Sequence, residues 1–406
     1  MNERWFLPMA ALLAAVTFGG CGAPVAEFRR YETYARKQEK ELGVDSKTMQ
    51  PIYPFSRQYR QDVDDVLVAL YGTPDEPALP QLTDVDLSQV IDINLLRLSA
   101  GPVGSDETGR PTGLYREHCA HCHGVTGDGN GPTAIFLNPY PRDYRPGRFK
   151  FKSTPIGQRP THDDLKTILI EGIPGTAMPS FRLLPEQEIE SLVHYVKYLS
   201  FRGETEQRLY MKLTELDEND RLITPGEPTP EKLEEIRGLV SEVASGWLGA
   251  AETVTEIEKR PEMTPEQLAA SRTNGRKLFY GAGNCFSCHG PSALGDGQTT
   301  DYDEWVKDFA GKTPKPEDFV EWVELGMLPP RNIRPRNLRQ GIYRGGMRPI
   351  DIYWRVRNGI EGTPMPGNDK LPPEQIWDLV NYVESLPYES ISDPRQAEPE
   401  NQRERM

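Results

Sequence analysis

Cys119-Ala120-His121-Cys122-His123 and Cys285-Phe286-Ser287-Cys288-His289 are two copies of one five-residue pattern, C-x-x-C-H. The spacing has a chemical reason. Two thiols three residues apart on one helical turn can each add to a vinyl group of the same porphyrin, and the His that follows sits under the ring as a ligand to its iron. Two copies imply two covalently held c-type haems. A thioredoxin-like dithiol needs a βαβ setting that neither copy has. A zinc site pairing the two C-x-x-C units leaves both following His residues without a role.

The motifs use four of the five Cys. The fifth, Cys21, follows a charged start (Met1 to Arg4), an apolar stretch from Trp5 to Phe18 and Gly19-Gly20. That order reads as a secretory signal over residues 1–20. Small residues directly before a Cys resemble a bacterial lipoprotein signal, in which Cys21 becomes the first mature residue and carries lipid. Phe18 and Glu3 depart from the usual pattern, and the other readings are an ordinary signal peptide or an uncleaved anchor. The apolar stretch is short for a spanning helix, which needs about 20 residues. Each reading puts the body of the chain outside the cytosol, on the periplasmic side of the cell envelope.

The 406 residues allow two or three domains, and mean hydropathy is low at −0.61, with 37 Pro and 36 Gly. Small haem domains joined by loops fit that mix, because porphyrin supplies much of the apolar core. The net charge of −14 argues against nucleic acid and against anionic lipid headgroups. It suits docking to a basic patch on a redox partner, or only keeps the chain soluble.

Self-similarity organises the rest. Gly109, Cys119, Cys122 and His123 recur 166 residues later as Gly275, Cys285, Cys288 and His289. At an offset of 187, Asp164, Leu165, Gly172, Ile173, Gly175, Thr176, Met178 and Pro179 recur as Asp351, Ile352, Gly359, Ile360, Gly362, Thr363, Met365 and Pro366. The same offset carries the stripe Ile189, Leu192, Val193, Val196 and Leu199 onto Ile376, Leu379, Val380, Val383 and Leu386. This stripe predicts an amphipathic closing helix in each copy. Shorter helices are predicted before each haem motif, over residues 161–171 and over residues 349–358, the last two stopping at Gly172 and Gly359. The second copy has extra residues between Gly290 and Pro330.

With C-x-x-C-H-G, a downstream Gly-Thr-x-Met-Pro and a closing helix in that order, twice, the chain resembles a two-domain class I cytochrome c. The resemblance covers residues 109–202 and 275–388, about half the chain. The first copy, with Gly124, Gly127, Gly129, Gly131 and Pro141-Arg142-Asp143, is similar to membrane-associated c-type subunits of respiratory complexes. The resemblance implies an all-α fold: a cytochrome c domain over 106–202, a helical spacer over 203–270 and a second cytochrome c domain over 271–388. A partly helical N-terminal segment (21–105) precedes them and a disordered tail (389–406) follows. The spacer reads as setting the distance between the haems. The N-terminal segment either wraps the first haem domain or contacts a partner subunit.

His123 and His289 are the expected proximal ligands, and Met178 and Met365 the expected distal ones. His162 and His194 are rivals in the first domain; Met327 and Met347 are rivals in the second. His/Met ligation raises the potential relative to bis-His, because a thioether favours Fe(II). Arg142 and Arg336 each follow a Pro at equivalent places and read either as donors to a haem propionate or as solvated surface residues. His118 and His121 read as surface residues. Filled axial positions point to outer-sphere electron transfer without catalysis at iron. The expected function is a membrane-anchored dihaem carrier. Its donor would be a quinol-oxidising complex or a dehydrogenase, and its acceptor a terminal oxidase or a soluble cytochrome. The alternatives are a dihaem peroxidase or thiosulfate dehydrogenase, or a cytochrome subunit fixed in a larger complex.

Overall fold

A computed structural model describes residues 26–43, 55–216, 220–224, 228–311 and 314–390. Cys21, the signal segment and the tail from 391 onward lie outside the described residues. The chain is helical, with one two-stranded hairpin among the described residues, β1 (Gly104–Ser105) and β2 (Pro111–Thr112).

The N-terminal segment contributes α1 (Glu32–Glu41), α2 (Arg57–Tyr71) and α3 (Ile93–Ser99). Ser56 caps α2 by accepting from the Tyr59 amide, and Val63, Val66, Leu67 and Tyr71 make its buried stripe. Asp92 caps α3 through the amides of Asn94 and Leu95. Then come α4 (Leu114–His118), α5 (Ala120–His123), α6 (His162–Glu171) and the long α7 (Glu186–Leu213). Thr161 and Asp164 form a capping box at the start of α6, and Gly172 ends it at a positive φ of 67°.

The closing helix of the first haem domain does not stop near 202. It runs to Leu213 because Thr205, Glu206, Leu209, Tyr210 and Leu213 are buried. The cover comes from both flanks. The Tyr31 amide donates to Glu206 at 2.6 Å, and the Tyr71 hydroxyl meets Thr205 at 2.6 Å. From the other side, α8 (Pro230–Leu248) buries Ile236, Val240, Val243, Ala244 and Trp247, and the Trp247 indole donates to Glu204 at 2.8 Å. The N-terminal segment therefore wraps the first haem domain. Residues 203–248 of the stretch expected to be a spacer pack into the same core, since an apolar stripe of that length has to be buried.

A second core is built by α9 (Pro265–Tyr280), α13 (Pro349–Asn358) and α14 (Pro373–Ser385). Helices α9 and α14 cross closely at Gly275, where a Cβ would lie 2.0 Å from the Asp378 carbonyl oxygen. Ser271 on α9 bonds the Asp378 side chain of α14. The first domain has the same joint between Ser99 of α3 and Ser191 of α7, at 2.5 Å, and Ser191 is the residue 187 positions before Asp378. Helix α3, upstream of the expected boundary at 106, thus does in the first domain what α9 does in the second. Gly109 has no such role: it turns the β1–β2 hairpin, with nothing within 4 Å of its Cβ position.

The extra residues of the second copy hold α11 (Glu304–Ala310) and α12 (Val320–Glu324) and lie across the first domain. Arg331 donates to the carbonyls of Ile135 and Leu137, both at 2.7 Å, and its guanidinium stacks 4.2 Å from the Tyr140 ring. Asn130 donates to the Gly326 carbonyl and Tyr140 to that of Pro329, each at 3.0 Å. Elsewhere Lys152 and Glu361 form a buried ion pair at 2.5 Å between the two domains.

Candidate haem-binding sites

Each C-x-x-C-H folds as a single helical turn, α5 in the first copy and α10 (Phe286–His289) in the second. The His amide bonds back to the first Cys carbonyl at 2.9 Å in both. A glycine follows each His at positive φ, 74° at Gly124 and 79° at Gly290, and turns the chain sharply away. Gly129 and Gly295 then return an amide to the His carbonyl, at 2.9 and 2.8 Å.

Both imidazoles are oriented the same way. Nδ1 of His123 bonds the Arg142 carbonyl, and Nδ1 of His289 the Arg336 carbonyl, each at 3.0 Å. A carbonyl only accepts, so Nδ1 carries the proton and Nε2 keeps its lone pair for a metal. Burial favours the neutral rings: it holds His123 down to about 4 and lowers His289. His123 also stacks on Tyr144, centroids 4.7 Å apart. Burial pushes the thiols of Cys119 and Cys285 up to about 12.

The Met loops are superposable in their bonding. In the first, Thr176 Oγ1 donates to the Ile173 carbonyl at 2.8 Å and accepts from the Met178 amide at 3.1 Å; the Ile173 amide donates to the Met178 carbonyl at 3.2 Å. In the second, Thr363, Ile360 and Met365 repeat all three bonds at 2.8, 3.2 and 3.2 Å. The threonine locks a one-turn loop that presents the following Met from outside a helix.

The first site opens as a cavity of about 870 Å³, inside the roughly 300–1,000 Å³ range of small-molecule and cofactor sites. Cys119, Cys122, His123 and Met178 line it, with apolar walls from Leu165, Leu169, Phe181, Val193 and Val196. Two thiols, an imidazole with a free Nε2, a thioether and an apolar wall are the donor set and lining that a covalent haem needs. The residues fit.

The expected rivals do not converge on these positions. His162 and His194 are absent from the cavity lining. They meet each other and Glu190 in a network, with His162 Nε2 at 2.7 Å from Glu190 and the Lys197 ammonium donating to His162 Nδ1 at 3.0 Å. Met347 is 54% exposed. Met327, a rival expected in the second domain, lines the first cavity, carried there by the second domain's extra residues. His121 is exposed and His118 half-buried, its ring centroid 5.9 Å from that of Phe181.

Arg142 and Arg336 are equivalent in their main chains and not in their side chains. What repeats is the carbonyl that orients the proximal His, a role that the Pro-Arg pairs mark and that side-chain reasoning overlooks. The Arg142 side chain lines the first cavity. That of Arg336 donates to the Ile342 carbonyl at 3.2 Å and abuts Gly175 of the first Met loop, where a Cβ would lie 2.9 Å from Nη2.

Two family models match the chain. Residues 106–196 match the family described as cytochrome c oxidase, cbb3-type, subunit III, and residues 273–387 match the family described as cytochrome c. No curated protein matches the chain. A chain from the Kuenenia stuttgartiensis reducing HAO-like protein complex is similar in structure, with a TM-score of 0.47 and 22% identity. The match covers 74% of this chain and 99% of that one. The two duplicated haem motifs, each read by its own cytochrome family, make this chain a dihaem c-type cytochrome with two cytochrome c domains.

Proposed function

We propose that this protein moves single electrons by outer-sphere transfer in a respiratory chain and is not itself a catalyst. The observation that carries the reading is that His123 and Met178 line one cavity, with the His289 and Met365 elements repeating the same hydrogen bonds. A haem bound at each site supplies reversible one-electron chemistry at iron. The protein's part would be to offer the iron His123 and Met178 at one site and His289 and Met365 at the other, to keep water from the ring and to leave no position for a substrate. A peroxidase or thiosulfate dehydrogenase needs an exchangeable or special distal ligand, and two matched Met loops speak against one.

The donor is a quinol-oxidising complex or a dehydrogenase, and the acceptor a terminal oxidase or a soluble cytochrome. The oxidase-subunit family matched by the first domain supports a place beside an oxidase. The body lies on the periplasmic side of the cell envelope, tethered by lipid on Cys21. Among the described residues no helix is long and apolar enough to cross a membrane.

The test is an optical spectrum of the oxidised, purified protein with a pyridine haemochrome count. Two haems, with the weak far-red Met–Fe(III) band at two-haem intensity, support the reading. A high-spin haem, or one that binds cyanide readily, would sink it.

A further inference from the structure

Each Met loop is touched by the other domain, and at matching positions. At the offset of 187, Pro174-Gly175 of the first loop corresponds to Glu361-Gly362 of the second. At Gly175 the neighbour is Arg336 of the second domain. Its guanidinium carbon and both terminal nitrogens lie 2.9 to 3.2 Å from where a Cβ would stand. At Glu361 the neighbour is Lys152 of the first domain, 2.5 Å from the carboxylate, and the Gly157 amide donates to the same carboxylate at 3.4 Å.

Neither neighbour is loose. The Ile342 carbonyl accepts from Nε and Nη2 of Arg336 at 3.3 and 3.2 Å, and the Gln340 side chain accepts from Nη2 at 3.4 Å. Lys152 sits on a strip fixed from both sides. Arg355 and Asn358 of α13, the helix that leads into the second loop, donate to the carbonyls of Lys152 and Ser153, each at 3.1 Å. The Ser153 amide and hydroxyl donate to Asp164 at the start of α6, the helix that leads into the first loop, at 2.9 and 3.0 Å. Within each loop the bonds that close the turn are local, and Met178 and Met365 are only half-buried. A loop held only by its own turn opens at low cost, so contacts from outside set how often it opens.

We propose that the two domains lock each other's distal ligands: Arg336 of the second domain keeps the Met178 loop closed, and Lys152 of the first keeps the Met365 loop closed. Each axial site then stays filled only while the other domain is docked against its loop. Arg336 and Lys152 are positioning residues, acting on the loops and not on iron. This rests on His/Met ligation at both sites.

The experiment titrates imidazole, a small ligand for an opened iron position, into the oxidised full-length holoprotein and follows loss of the far-red Met band. A Met365→His background leaves that band to the first haem, and Met178→His leaves it to the second, so each site is read alone. A wild-type haemochrome count below two, or a far-red band below two-haem intensity, overturns the ligation reading itself and is scored first. The expected pattern is crossed. Arg336→Leu should raise imidazole affinity at the first haem and leave the second unchanged, because the main-chain carbonyl that orients His289 remains. Lys152→Met should raise it at the second haem and leave the first unchanged. The Arg331 bonds to the first domain keep the domains docked in both variants. Apparent affinity scales with the open fraction, so losing the buried Lys152 contact should read as a rise on the order of tenfold. Gly175 is exposed where Glu361 is buried, so Arg336→Leu should give a smaller, several-fold rise. Should Lys152→Met fail to fold, Lys152→Met with Glu361→Gln removes the contact without leaving a buried charge. Far-UV circular dichroism matching wild type shows that the variants are folded. Unmoved affinities in folded variants, a rise confined to the substituted residue's own domain, or an equal rise at both haems would overturn the proposal.

Discussion

Replacing Glu361 by Gln should cost about 3 kcal/mol of stability, and the reasoning starts from where its partner sits. Lys152 and Glu361 are 2.5 Å apart, with side chains only 3% and 7% exposed. Breaking a buried ion pair by removing one charge costs about 3–5 kcal/mol, because the other charge is left without compensation. Two features put this case at the low end. Lys152 also donates to the Gln158 carbonyl, and burial, set against the pull of Glu361, already lowers its pKa. The penalty should therefore depend on pH with a definite sign. The folded-state pKa of Lys152 lies below its unfolded value, so between the two the unfolded chain binds more protons. Stability then rises with pH across that window, and the Glu361→Gln penalty shrinks toward alkaline pH. Guanidinium denaturation read by far-UV circular dichroism and by haem absorbance, from pH 7 upward, measures this. Both probes are needed because a two-domain chain need not unfold in one step. Lys152→Met with Glu361→Leu should recover much of the loss, since apolar replacement of a buried pair is often neutral. A loss below about 1 kcal/mol for Glu361→Gln, the worth of a surface pair, would refute the claim that this joint is dry and holds the domains together.

Met178→His and Met365→His should each remove the far-red band of one haem and lower that haem's potential alone, read by potentiometry, because a second imidazole favours Fe(III) more than a thioether does. Gly275→Ala should destabilise by about 1–3 kcal/mol or more in thermal melts, since its Cβ would lie 2.0 Å from the Asp378 carbonyl oxygen and force α9 from α14. Gly238→Ala, mid-helix in α8 with nothing within 4 Å, should stabilise by roughly 0.5–1 kcal/mol in the same assay. Acidification should destabilise the first domain: burial, then Lys197 and His162, hold His194 down to about 4, so below the unfolded value of 6.5 only the unfolded chain takes up that proton. His194→Gln, facing Lys197, His162, Glu190 and Asp92, should flatten the fall between pH 6.5 and 4 followed by circular dichroism.

Much of the site is legible in the sequence because its bonds are short-range. A thiol pair and an imidazole on one turn, a glycine that must take positive φ, and a threonine that locks the loop two residues before a methionine all span a few residues. Their hydrogen bonds are local, and duplication at fixed offsets makes them visible twice. The apolar stripes of α7 and α14 are equally local signals. The role of Arg142 and Arg336 was hidden because it belongs to a main-chain carbonyl, which leaves no mark on side-chain identity beyond the Pro before it.

What lies between the motifs followed different physics. The sequence reads 203–270 as a helical spacer, but nothing local says which surface covers the apolar face of α8. That α7 continues to Leu213, that α3 stands where α9 does, and that the second domain puts Met327, Arg331 and Arg344 on the first cavity were decided by tertiary packing. These contacts join residues from 43 to 196 positions apart. Burial of apolar area is non-directional, and many pairings would satisfy it. Only the assembled chain selects one of them, and with it the surroundings of the first haem.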